Sequence, residues 1–219
     1  MKKIFMVAVI SSLLVGCKVD FSTKVNTDDL LSEDVKVTKG EINFEVSSCS
    51  DYEDSRLESK SLIDIKSKIP TIFNNAEYKG CFSKRMDSYA TFSVPVSVGV
   101  IKSENQKIST DFMVYSNNSS LMSIAITNEA RNKIKKAEKD IMGSLDFNIS
   151  LTLSKGKQSF PVGLLVGNYV TTSKLKNEPV AVMDFDMNKL KEVNIKLSNV
   201  ATDYLMKYGS YSVIIRNNP

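Results

Sequence analysis

Leu145, Phe147, Ile149, Leu151 and Leu153 are apolar, while Asp146, Asn148, Ser150 and Thr152 between them are polar. Alternation with a period of two places every second side chain on the same face of a strand, and no helix can segregate such a set. The segment therefore reads as a half-buried antiparallel strand with one wet face. Val19, Phe21, Thr23 and Val25 repeat the pattern near the N-terminus, and Ile42, Phe44 and Val46 share a face in a strand read over Val35–Val46 with a break at Gly40. Further strand signal covers Tyr89–Ile101, Lys107–Tyr115, Leu121–Ile126, Phe160–Thr171, Val180–Met187, Val193–Leu197 and Tyr211–Ile215. Pro95 inside the first of these argues for an edge position or a bulge, because proline has no N–H for a ladder.

Helical periodicity interrupts the strands in three places, besides a short turn opened by Thr27-Asp28-Asp29 and running through Leu31. Asp51–Ile69 reads as a helix with Leu62, Ile65 and Ile69 on one side and Pro70 as its stop. Asn128–Met142, capped by Thr127 or Asn128 and ended by Gly143, gathers Ala130, Ile134, Ala137 and Ile141 into one stripe. Arg131, Lys133, Lys135, Lys136 and Lys139 fill its other face, interspersed with Glu129, Glu138 and Asp140, as on a solvated surface. A short helix capped by Ser198 ends near Tyr208-Gly209. The expected fold class is α+β, mainly antiparallel sheet with two to three amphipathic helices.

The extreme N-terminus is of another kind. Lys2-Lys3 precede an apolar run from Ile4 to Leu14, which as a helix spans only ~16 Å where a membrane crossing needs roughly 20 residues. The run ends in Leu14-Val15-Gly16-Cys17, which resembles the lipobox of bacterial lipoproteins. That resemblance implies cleavage before Cys17, a diacylglycerol on its thiol and acylation of the new amino group. Two or three acyl chains pass the threshold for stable anchoring. In Gram-negative lipoproteins an aspartate after the cysteine commonly retains the protein in the inner membrane; Lys18 stands there instead, so the expected site is the outer membrane, facing the periplasm. Strand pattern begins two residues after Cys17, so the domain has no flexible leash and should lie against the lipid surface.

Residues 1–16 are thus read as a signal peptide and 17–219 as a single domain, with 116–120 as the place where a division into two subdomains would fall. The loss of Lys2 and Lys3 lowers the net charge from +4 to +2, which argues for no nucleic-acid partner. Cys49 and Cys81 form an even pair in an exported domain and are read as one disulfide.

The chain has no histidine, which excludes Ser-His-Asp and Cys-His nucleophile systems and His-bearing zinc sites. It also has no tryptophan, no phosphate-binding Gly-Lys loop and no Gly-x-Ser-x-Gly elbow. No catalytic residue, metal or cofactor is expected. Asp184 and Asp186, two apart on a strand, form the one acidic pair that acid/base chemistry could use, with Met183, Phe185 and Met187 facing the other way. Asp51, Glu53 and Asp54 with Arg56 lack calcium-loop spacing and read as a charged helix start. Tyr169, Tyr204, Tyr208 and Tyr211 are candidates for a contact surface.

Asp51-Tyr52-Glu53-Asp54-Ser55-Arg56 after Cys49, and Ala76-Glu77-Tyr78 before Cys81, resemble segments of uncharacterised small envelope lipoproteins carried by bacterial genomes and prophages. The resemblance implies no catalytic or binding residue. The expected function is a non-enzymatic module that binds a membrane or periplasmic protein, with superinfection exclusion as the version suggested by the prophage likeness. Two alternatives stand beside it: a carboxylate-based cell-wall glycan hydrolase using Asp184 and Asp186, and a lipid-binding module with an apolar cavity in the β region.

Overall fold

The computed structural model describes residues 17–102, 109–141 and 145–217. The signal segment, with Leu14, Val15 and Gly16, lies outside the described residues, as do the strand start at Lys107 and the helix stop at Gly143. Among the described residues, eleven strands and four α-helices follow in the order β1 (Cys17–Asn26), α1 (Thr27–Leu30), β2 (Lys36–Val46), α2 (Lys60–Ile72), β3 (Glu77–Lys84), β4 (Asp87–Val100), β5 (Phe112–Ser116), β6 (Ser120–Ile126), α3 (Asn128–Ile141), β7 (Leu145–Ser154), β8 (Gly163–Thr171), β9 (Glu178–Phe185), β10 (Glu192–Leu197), α4 (Asn199–Tyr208) and β11 (Ser210–Arg216). This is an α+β fold dominated by antiparallel sheet.

All eleven strands belong to one sheet, paired in the order β10-β7-β1-β2-β4-β5-β6-β11-β8-β9, with β3 on β4. An additional β10–β8 pairing returns the path to its start, so the sheet encloses its own apolar face. The stretch 117–119 is the turn between β5 and β6, closed by the Asn117 N–H donating to the Ser120 carbonyl at 2.9 Å. Inside the sheet, Phe21 stacks on Phe112 at 4.3 Å between ring centroids, Phe112 on Phe73 at 5.5 Å, and Phe44 meets Phe92 edge-on at 6.1 Å. Ile42, Val96, Ile149, Leu151 and Ile195 fill the space around these rings. The interior of the β region is thus packed with side chains.

Several expectations are corrected by this arrangement. β7 is not purely antiparallel: it pairs parallel with β1 from Cys17↔Leu145 to Asn26↔Ser154, and antiparallel with β10 on its other side. Alternation reports one wet face and carries no information on strand direction. Gly40 makes no break; it sits within β2, opposite Thr23 and Val94. A Cβ there would lie 2.8 Å from Val96 Cγ2 and 3.0 Å from the Phe21 ring, so glycine leaves room for that ring.

Pro95 is on no edge strand, since β4 has β2 on one side and β3 followed by β5 on the other. Its place is the handover on one flank of β4, where β3 ends at Ser93 and β5 begins at Val96. Its missing N–H falls where no neighbour needs it.

The second helix begins at Lys60, nine residues later than the periodicity suggested. Residues 50–58 form a compact loop, in which Asp51 Oδ1 accepts from the Glu53 and Asp54 N–H groups and Ser50 bridges to Glu58. Ser59 then caps the helix by accepting from the Leu62 N–H at 3.1 Å. Pro70 lies inside the last turn, where only one intrahelical bond is lost, and the Phe73 N–H closes the end on the Ile69 carbonyl at 2.9 Å.

The caps of the other helices are as read: Thr127 Oγ1 accepts from Ala130, and Ser198 Oγ from Ala201. Gly209, left-handed at φ 90°, ends α4.

Candidate functional site

Cys17 opens β1 and pairs with Leu145, the first residue of β7. Its parity is that of Val19, Phe21, Thr23 and Val25, all buried, so its thiol is directed to the enclosed side of the sheet. Above it lies an apolar groove of about 400 Å³ between α2 and α3. Phe44, Ile69 and Ile72 are its buried floor; Ile65, Ala137 and Leu145, each half-buried, are its walls. Lys68, Lys133 and Lys136 line its rim. The positions on α3 follow from its 3.6 period, because Lys133 and Ala137 are four apart and Lys136 flanks them. Lys133 is held back by an ion pair to Glu129 at 2.7 Å and donates to Asn74 Oδ1 at 3.3 Å.

The same end of the sheet carries two further features. Lys18 reaches Asp87 at 3.5 Å and Glu45 at 3.9 Å, and these carboxylates, Glu45 first, raise its pKa. Asp87 closes the β3–β4 hairpin, whose two-residue tip is Arg85, left-handed at φ 58°, and Met86, which is 97% exposed. A basic and an apolar side chain therefore project beyond Asp87, the residue that Lys18 reaches.

Cys49 and Cys81 form a disulfide with 5.7 Å between Cα atoms, tying the loop before α2 to β3. Tyr78 and Phe82 stand near it on β3, packed on Phe92 and Tyr89 respectively. Phe73, which caps the end of α2, joins the central ring stack.

The acidic pair is not assembled into a site. Asp184 is exposed on β9, opposite Leu164. Asp186 lies beyond the strand and caps a single 3-10 turn at Met187–Lys189, accepting from the Asn188 N–H at 3.1 Å and pairing with Lys189 at 3.1 Å. Lys189 holds its carboxyl below the usual carboxylate range, with the Asn188 bonds adding to the effect. Asp54 is likewise consumed locally, gripped by Arg56 through Nε at 2.9 Å and Nη2 at 2.7 Å. Among the described residues no group of three or more His, Cys, Asp or Glu side chains is placed to hold a metal.

Three of the four tyrosines do meet. Tyr204 and Tyr208, four apart on α4, have ring centroids 4.5 Å apart, and Tyr211 on β11 is 6.2 Å from Tyr204. Val200, Tyr204 and Tyr208 share one exposed flank of α4, while Asn199, Asp203 and Met206 face α3 across a polar cleft. Tyr211 donates to the Val166 carbonyl at 3.0 Å, and burial raises its pKa. Tyr169 stands apart on β8, opposite Pro179 and Lys196.

Two built polar contacts escaped the sequence reading. Asp111, 4% exposed, accepts from the Asn74 backbone N–H at 2.5 Å and from Asn74 Nδ2 at 3.0 Å, joining the end of α2 to β5. Burial raises its pKa against the opposing pull of these bonds. Asp28 accepts from the Lys157 and Gln158 N–H groups at 2.8 and 2.9 Å, which lower its pKa and pin the loop after β7 to α1. Neither residue belongs to a periodic pattern, so no signal in the sequence separates it from any surface aspartate.

Among the described residues no helix is long and apolar enough to cross a membrane. Residues 19–218 match a protein family described as Domain of unknown function (DUF7424). No curated protein and no solved structure matches the chain.

Proposed function

The chain belongs to the DUF7424 family, and we propose that it is a lipid-anchored bacterial envelope protein acting as a non-enzymatic binding module for another envelope protein. The observation that carries this reading is the position of Cys17: the first residue of an interior strand, with no leash between it and the folded sheet. A lipid on that residue holds the body against the bilayer by its α2–α3 end. The exposed Arg85-Met86 tip and the lysines around the groove then face the headgroups, where each basic side chain near an anionic surface adds about 1 kcal/mol. The absence of an aspartate after Cys17, where Lys18 stands, favours the outer membrane, on its periplasmic side. The tyrosine flank of α4 points away from α3 and is the surface offered to a partner, since tyrosine supplies rigid, amphipathic contact area. Superinfection exclusion is the form of this role that the prophage likeness suggests.

The hydrolase alternative has less support. A general acid needs a carboxyl held protonated near the working pH, and Asp186 is held the opposite way by Lys189.

The test is a crosslinked pull-down from native envelopes, comparing wild type with Cys17→Ala and with Tyr204→Ala/Tyr208→Ala. One envelope protein captured by wild type and lost with both variants supports the reading. Equal capture by all three removes the roles of anchor and tyrosines together. Retention of the Cys17→Ala protein in the membrane fraction refutes the anchor.

A further inference from the structure

We infer that the groove between α2 and α3 receives an acyl chain of the lipid carried by Cys17. The inference rests on the lipidation reading above and adds where one chain goes. Three observations meet at this place. Cys17 is itself part of the groove lining, so the ligand's point of attachment lies inside its own site. Its side chain has the parity of the buried residues of β1, so a thioether formed there starts toward the groove and not toward solvent. The groove is apolar along floor and walls; the charged residues that line it are Lys68, Lys133 and Lys136, whose stems cover apolar surface while their heads reach water, and Glu45, which is paired with Lys18. A cavity of about 400 Å³ falls in the range that holds one small apolar ligand.

The tether decides between occupants. A free lipid, a second copy or a partner helix would have to give up translational freedom to enter. A chain attached a few bonds away enters as an intramolecular event at high effective concentration. The remaining acyl chain or chains stay available to the bilayer, assisted by the basic rim.

The experiment feeds cells a photoreactive fatty-acid analogue, isolates the full-length protein from its envelope after irradiation, and maps both the attachment and the crosslink by peptide mass spectrometry. The expected result is analogue on Cys17 and crosslinks to residues of α2 and α3, Ile65 and Ala137 among them. Ala137→Trp, which fills the groove, should keep the analogue on Cys17 and lower those internal crosslinks at least several-fold. Formation of the Cys49–Cys81 disulfide reports that the variant folds. Analogue on Cys17 with crosslinks only to phospholipid or to other proteins overturns the groove assignment and leaves lipidation standing. Internal crosslinks unchanged by Ala137→Trp also overturn it. Absence of analogue from Cys17 overturns the lipidation reading and this inference with it.

Discussion

The sheet interior and the α2–α3 groove are both lined by large apolar side chains, yet one is closed and the other open. In the interior, Phe21, Phe73 and Phe112 stack face to face and each is no more than 2% exposed. In the groove, Phe44, Ile69 and Ile72 supply a buried floor, but Ile65, Ala137 and Leu145 around it are only half-buried. The difference is one of stature: large rings converge on the first space from several elements, while α3 lends the second a small Ala137 beside Lys133 and Lys136. Apolar pattern therefore says which face is dry and leaves open whether the dry space is full.

Substitution should separate the two regions by size of effect. Phe112→Ala removes the middle ring of the stack and should cost about 3–5 kcal/mol in chemical denaturation. A loss below about 1 kcal/mol would mean that the interior is loosely packed and that the contrast drawn here is false. Reduction of Cys49–Cys81, which closes a separation of 32 residues, should cost about 3–4 kcal/mol on the chain-entropy account, read as a lower denaturant midpoint after reductant. Ile65→Ala in the groove wall should cost no more than about 1.5 kcal/mol, because that side chain is already partly in water. An effect as large as that of Phe112→Ala would show the groove to be core.

The polar contact beneath α2 sharpens the same comparison through pH. Asp111 has its folded-state pKa raised by burial, so the folded protein binds its proton more tightly than the unfolded chain does. Its contribution is then most favourable in acid and declines as pH rises from the ordinary aspartate value through the raised one. Wild type should lose stability relative to Asp111→Asn across that window. A difference flat with pH would mean that the carboxylate is not desolvated. Asp28 has the opposite sign: two backbone N–H groups lower its pKa, and its contribution is present above the ordinary aspartate value and is lost as pH falls through the lowered one.

Period-two alternation made the strands from Val19 and from Leu145 legible, together with their buried faces, and capping residues located the starts of α3 and α4. The Cys49–Cys81 pair was legible once Cys17 was set aside by its lipobox-like context, which leaves an even number. The parallel β1–β7 pairing was not, because a strand carries no mark of its neighbour's direction. Nor was the start of α2, since Asp51 and Asp54 serve equally well as a helix's acidic first turn or as caps of local turns. The groove was out of reach for a further reason. It depends on Cys17, Ile65, Ala137 and Leu145 meeting from four elements, and none of them alone points to an open groove.

The smallest effect should come from the pair that the sequence made most conspicuous. Among the described residues Asp184 projects from β9, which pairs with β8 alone, and caps no turn; Asp184→Ala should leave stability within about 0.5 kcal/mol of wild type. Asp186 differs although only two residues away, because it leaves the strand to cap the turn and holds Lys189. Asp186→Asn should therefore be the more destabilising of the two at neutral pH, and its deficit should vanish in strong acid, where the wild-type carboxyl protonates as well. A shared catalytic role predicts another pattern, in which both substitutions leave the fold intact and abolish one activity together. Denaturation curves of the two variants at neutral and strongly acid pH, set beside a glycan-hydrolysis assay, decide between them, since a cap and an acid/base pair leave opposite signatures on stability and turnover.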